Sequence, residues 1–438
     1  MIVNSTLKKL LLLAAGVMLS AQAYAALNIQ KWQTSKGTEV YFVENHDLPI
    51  IDISTNFAAG SARDTAKPGL SGITRYMLTL GAAGMTDEQI SNSFADVGAV
   101  LGGELDADRA GLKLRTLSSA REQAAALDTY IKILHQPDFP EATLKREKAR
   151  IIAGLKEAAT QPASISNKAF LKALYGTHPY AVDDEGEPEA VNAITRTDLQ
   201  QFYQQYYGAK NAVIALMGDM TPEQAKQIAE RISAGLPDSP AAAALPTVSY
   251  PSAAVEKRIP HPASQSHILL GYPGVKRGDD DYFALYVGNY ILGGGGFVSR
   301  LTEEVREKRG LVYSVYSYFI PMQELGQFQV GLQTKRDQAE DALKLVRETL
   351  ATFISKGVTE AELKAAKQNI IGGFPMRIDS NSKILDYLAV IGFYHLPLTY
   401  LDEFNGKVEQ VTAAQIKDAF SRRIDPNKMV TVVVGGSK

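Results

Sequence analysis

Arg306 and Tyr313 are separated by seven positions in the run Arg306-Glu307-Lys308-Arg309-Gly310-Leu311-Val312-Tyr313-Ser314. A helix capped at Ser299 and running to Lys308 would stop at Gly310, and a strand would start at Leu311. That turn brings a guanidinium and a phenol together. Two such donors can hold a carbonyl oxygen and stabilise negative charge developing on it. A plainer arrangement fits the same residues, with Arg306 paired to Glu303 or another helix acid and Tyr313 in the core of a sheet.

Other chemistry is sparse. The histidines are His46, His135, His178, His261, His267 and His395. None is followed three positions later by Glu, and no two lie four apart. His261 and His267 come closest, yet six residues of extended strand span roughly 20 Å, too far to share one ion without a turn. The chain has no cysteine, hence no disulfide, thiolate ligand or thiol nucleophile. No G-x-S-x-G context supports a serine nucleophile. Gly293–Gly296 lacks the GxxxxGK[ST] pattern of a phosphate loop. Asp279, Asp280 and Asp281 read as favourable charges at the start of a helix from Tyr282, not as a calcium site. The acidic run Asp183–Glu187 reads as a solvated loop.

The segment Gly69-Leu70-Ser71-Gly72-Ile73-Thr74-Arg75-Tyr76-Met77-Leu78 resembles a zinc-protease helix stripped of its ligands. The resemblance is to the inverted-motif zinc metallopeptidases, the family of pitrilysin, insulinase and mitochondrial processing peptidase. There a Gly-Leu-x prefix introduces H-x-x-E-H, with two imidazoles one helical turn apart and a carboxylate between them to activate water. Here Gly72 and Tyr76 hold the histidine positions and Arg75 holds the glutamate position. Counting on from Tyr76 to the family's third ligand reaches Ile151–Ala153, where Ala153 stands in for the acid. Glu157, a turn later, has no imidazole partner. The family's order continues in Gly60-Ser61-Ala62-Arg63-Asp64, His178-Pro179-Tyr180, Asn211-Ala212, Met217-Gly218-Asp219 and Ser299-Arg300-Leu301. The resemblance gives Arg306 and Tyr313 the role of the Arg/Tyr pair that faces the zinc and binds substrate. It implies no cofactor in this chain and zinc in a homologous partner subunit carrying H-x-x-E-H.

The elements that must position these residues repeat. Strands at Val40–Val43 and Ile51–Phe57 are echoed by Ala254–Ile259 and His267–Tyr272. Asn211–Gly218 and Asn427–Gly435 close the two halves alike. Apolar residues at helical spacing mark Ala120–Leu134, Thr143–Ala159, Thr197–Tyr206, Tyr282–Leu292, Gln338–Lys356 and Thr359–Phe374. The expected fold is α+β, two homologous domains, each a largely antiparallel sheet with helices packed on one face. The domains are drawn at 26–235 and 257–438, joined by a Pro/Ala/Ser-rich linker at 236–256. Lys8, Lys9, an apolar run and Ala23-Tyr24-Ala25 form a secretory signal cleaved after Ala25, too short to span a bilayer, which places the chain in the periplasm. The net charge of −2 gives no sign of nucleic-acid binding. The function expected is that of a non-catalytic, substrate-binding subunit of a heterodimeric zinc peptidase, taking peptides or unfolded protein. The alternative is an inactive pseudopeptidase that binds peptides or scaffolds an assembly.

Overall fold

The computed structural model describes residues 27–64 and 66–435, and the expected signal peptide lies outside them. In the first half the strands are β1 (Gln30–Gln33), β2 (Glu39–Glu44), β3 (Ile50–Phe57), the short pair β4 (Gly81–Ala82) and β5 (Met85–Thr86), β6 (Val100–Leu105), β7 (Ala110–Leu117) and β8 (Ala212–Gly218). The main sheet runs β1-β2-β8-β3-β7-β6, antiparallel except for the parallel pair β2/β8. Around it lie α1 (Leu70–Met77), α2 (Asp87–Ala95), α3 (Ala120–His135), α4 (Glu141–Ala158), α5 (Pro162–Tyr175), α6 (Pro188–Ala193), α7 (Arg196–Tyr206) and α8 (Pro222–Ala234).

The second half contributes β9 (Val255–Ile259), β10 (Gln265–Pro273), β11 (Val312–Phe319), β12 (Gln327–Lys335) and β13 (Val430–Val434) in the order β11-β12-β10-β13-β9. Its helices are α9 (Tyr282–Asn289), α10 (Ala339–Lys356), α11 (Glu360–Gly373), α12 (Asn381–Phe393), α13 (Tyr400–Gln410) and α14 (Ala413–Arg423). The parallel pair β13/β9 takes the place of β8/β2, the other three pairings of the second sheet match the first in sense, and β1 has no counterpart. Two sheets that share one five-strand topology therefore follow each other along the chain, as the repeated sequence pattern implies.

Each sheet buries one face beneath helices of its own half. Ile53, Leu112 and Leu114 join Leu127, Tyr130 and Leu134 of α3 in the first core. The opposite face of each sheet is covered by a helix from the other half. α5 sets Phe170 and Leu174 with Leu269, Val430 and Val432 of the second sheet, and α12 lies across β2, β3 and β8 of the first. Both approaches are close because a glycine sits at each crossing. A Cβ on Gly271 would collide with the Phe170 ring, and one on Gly392 would stand 2.6 Å from Val213 Cγ1 and 2.7 Å from the Tyr41 ring.

The halves also meet at the β6–β7 turn. Buried Asp108 accepts hydrogen bonds from the Tyr180 hydroxyl (2.5 Å), the Gln323 amide (2.8 Å) and the Tyr394 hydroxyl (2.9 Å). Burial pushes its carboxyl above the ordinary value. Between α8 and β9 the chain has no regular structure, and β9 starts at Val255, two residues before the drawn domain edge. This stretch is strapped down rather than loose: Arg63 donates to the Ala243 carbonyl, His178 to the Pro246 carbonyl, and the Ala242 amide to Asn211. No helix among the described residues is long and apolar enough to cross a membrane.

Candidate functional site: an exposed Arg/Tyr pair and a vacated metal helix

Arg306 rides on a helix over residues 300–307, and Thr302–Glu307 is wound as a π-helix. The Lys308 amide reaches the Glu303 carbonyl at 3.0 Å, one residue further than an α-turn allows. Ser299 does not cap the helix as its type suggests. Its hydroxyl donates to the Gly296 carbonyl and meets the Thr302 hydroxyl at 3.1 Å. Gly310 ends the helix as expected, at φ 62°, with its amide on the Arg306 carbonyl at 2.8 Å.

The strand then starts with a fault in register. Val312 pairs with Thr334 and Ser314 with Gln333, so Tyr313 is the extra residue of a β-bulge. The bulge turns it out to 79% exposure, which removes it from the sheet core. The Arg306 guanidinium carbon lies 5.5 Å from the centre of the Tyr313 ring and 4.8 Å from that of Phe297. Glu303 is held by Lys308 at 3.0 Å, and Glu304 by Lys308 at 2.7 Å and Arg309 at 3.2 Å. The acid nearest Arg306 is its chain neighbour Glu307, at 3.6 Å. The structure thus brings Arg306 and Tyr313 together and adds Phe297, 71% exposed, which the reading of the sequence passed over. Its signal was the apolar doublet Phe297-Val298 straight after four glycines.

Two anchors fix this cluster from beneath. Arg300 forks onto Glu362 at 2.6 and 2.7 Å, reaches the Gly357 carbonyl at 3.0 Å and lies over the Phe353 ring. The Arg300 fork, with the Thr359 amide and hydroxyl donating to the same carboxylate, lowers the Glu362 carboxyl to about 2. Asn289 and Ser317 exchange buried hydrogen bonds of 3.0 and 2.7 Å that tie β11 to the end of α9. The acids before α9 do not cap it. Asp281 is taken by Arg422 and Arg423, and Asp279 by Arg423.

The zinc-type helix is α1. Asp64 caps it, accepting from the Gly69 and Ser71 amides at 2.7 Å each, and burial raises its carboxyl to about 6. Gly72 and Tyr76 face Ile151 and Gly154 of α4, and Arg150 lies over the Tyr76 ring at 5.4 Å. Arg75 is directed along β6, where a Cβ on Gly103 would collide with its guanidinium. Ala153 is exposed and does not line this space; Ile151 and Gly154 occupy the place assigned to it. An arginine, a tyrosine and two glycines supply no imidazole and no carboxylate pair, so these positions do not fit zinc. Among the described residues no group of three or more His, Asp or Glu is arranged to hold a metal ion. In its place is a cavity of about 430 Å³, with Leu105, Asp184 and Glu185 completing the wall.

Fold and site together define a two-domain zinc-peptidase scaffold without the peptidase motif. Residues 193–370 match the family model described as the peptidase M16 inactive domain. A Pseudomonas fluorescens structure, described as a peptidase M16 inactive domain, is 39% identical with TM-score 0.91, over 94% of this chain and 98% of that one. A Helicobacter pylori protein named non-peptidase homolog YmxG is 27% identical over 98% of this chain and 99% of its own. A Bacillus subtilis protein named uncharacterized zinc protease YmxG is 25% identical over 81% and 86%. The chain belongs to the M16 peptidase family.

Proposed function

We propose that this chain is the non-catalytic, substrate-binding subunit of a heterodimeric zinc peptidase of the periplasm. A homologous partner carries H-x-x-E-H and the zinc, and this chain supplies Arg306 and Tyr313 to the shared chamber. The observation that carries the reading is the state of Arg306. Glu303 and Glu304 are taken by Lys308 and Arg309, so its guanidinium keeps a 3.6 Å contact to Glu307 and rests against two exposed aromatic rings, while a bulge holds Tyr313 outward. A guanidinium N–H and a phenol O–H so presented can take a peptide carbonyl oxygen and favour the charge that builds on it during cleavage. Substrates are peptides or unfolded segments, whose backbone carbonyls are free to be held.

The test is reconstitution with an exported H-x-x-E-H homologue. Alone, the chain cleaves no peptide; mixed, activity appears, and Arg306→Ala lowers it at least tenfold, the loss expected for one transition-state donor. Activity of the mixture that both Arg306→Ala and Tyr313→Phe leave intact would favour the alternative, a pseudopeptidase that binds peptides or scaffolds an assembly.

A further inference from the structure

The cavity between α1 and α4 carries a second site, independent of Arg306 and Tyr313. Its wall is apolar where Ile73, Leu105, Ile151 and Leu155 meet. At about 430 Å³ it falls in the lower range of small-ligand sites, room for one large side chain and the atoms beside it. Gly154 holds it open. In a helix interior glycine is the least favourable residue after proline, and packing usually explains it. Here a Cβ on Gly154 would meet nothing within 4 Å, so no close approach within this chain calls for glycine. What its bare backbone does provide is the empty volume.

Charge at the rim selects the occupant. Asp183, Asp184 and Glu185 follow one another, and Asp184 and Glu185 line the mouth. None of the three pairs with a cation among the described residues, because nearby Lys168 is engaged by the Gly186 carbonyl and Glu187. Arg150, the one cation in the wall, is balanced by Glu147 at 2.8 Å and stacked on Tyr76. Crowded carboxylates without a counter-ion are relieved by a bound positive charge. We propose that this cavity binds the free amino-terminal residue of a peptide, its large apolar side chain between α1 and α4 and its ammonium at Asp184 and Glu185.

Calorimetric titration of the mature chain with Phe-Ala-Ala amide tests this against the N-acetylated peptide. The free-amine peptide binds, and acetylation weakens it at least tenfold. Gly154→Leu fills the volume and abolishes binding while the melting temperature holds or rises, since the substitution removes a helix glycine. Ala153→Leu, its exposed neighbour outside the cavity, leaves binding unchanged. No binding of the free-amine peptide, equal binding of both peptides, or binding that survives Gly154→Leu would each overturn the proposal.

Discussion

Phe297 and Tyr313 flank a guanidinium that no carboxylate of the turn before it claims, and this makes the cluster sensitive to single atoms. Phe297→Ala removes one ring from Arg306 without opening the core, because Phe297 is 71% exposed. An exposed cation–π contact is worth about 0.5–1 kcal/mol, so the variant should lower peptidase activity of the reconstituted pair about two- to fivefold with its melting temperature unchanged. A fall in melting temperature would instead make Phe297 a packing residue. The turn between Arg306 and Tyr313 was legible in the sequence because Gly310 is a local stop signal. The outward turn of Tyr313 was not, because alternation Leu311, Tyr313, Val315 reads as a regular strand and the bulge is set by pairing with distant Thr334 and Gln333. Ala153 shows the same limit: the count reaches Ile151–Ala153, of which Ile151 lines the cavity and Ala153 is exposed, and a count along the chain does not say which face of a helix looks inward.

At the scale of elements, the 300–307 helix depends on the Arg300–Glu362 fork to α11. The Glu362 carboxyl stands at about 2 against an ordinary 4.5, a value lowered in the folded state. The stability it contributes is therefore fully present above about pH 4.5 and is lost as pH falls towards 2. Glu362→Gln should destabilise the fold by about 1 kcal/mol at neutral pH, below the range for fully buried hydrogen bonds to charged groups because the carboxylate is partly exposed, and by much less near pH 2. Denaturant melts of both proteins across that range check it; a gap that does not close with acid would contradict the assignment. The exchanged helices make a second prediction. Gly392→Leu drives a side chain into Val213 and Tyr41 and should cost about 1–3 kcal/mol through overpacking. α5 was not marked in the sequence at all, and its buried face, Ser166, Phe170 and Leu174, is set by a sheet of the other half, about which periodicity is silent.

The whole molecule is an asymmetric pair built on one repeated topology. The repeat was legible because equivalent strands keep their order in both halves, each ending in an apolar run that closes on glycine. The joint was not, because it depends on Asp108 meeting Tyr180, Gln323 and Tyr394 from three remote stretches. Asp108→Ala strands those three donors and should cost about 1–3 kcal/mol, read as a lower denaturation midpoint. The first half holds a cavity between α1 and α4, while the second presents two donors on a braced turn. That division is what the proposed substrate-binding role rests on. The direct measurement is peptide cleavage by an exported H-x-x-E-H homologue, alone and with this chain added as wild type or as Arg306→Ala/Tyr313→Phe. We predict that wild type raises cleavage and that the double variant still binds the homologue but returns cleavage to within a few-fold of the homologue alone; equal stimulation by both proteins would contradict a substrate-binding role for the pair.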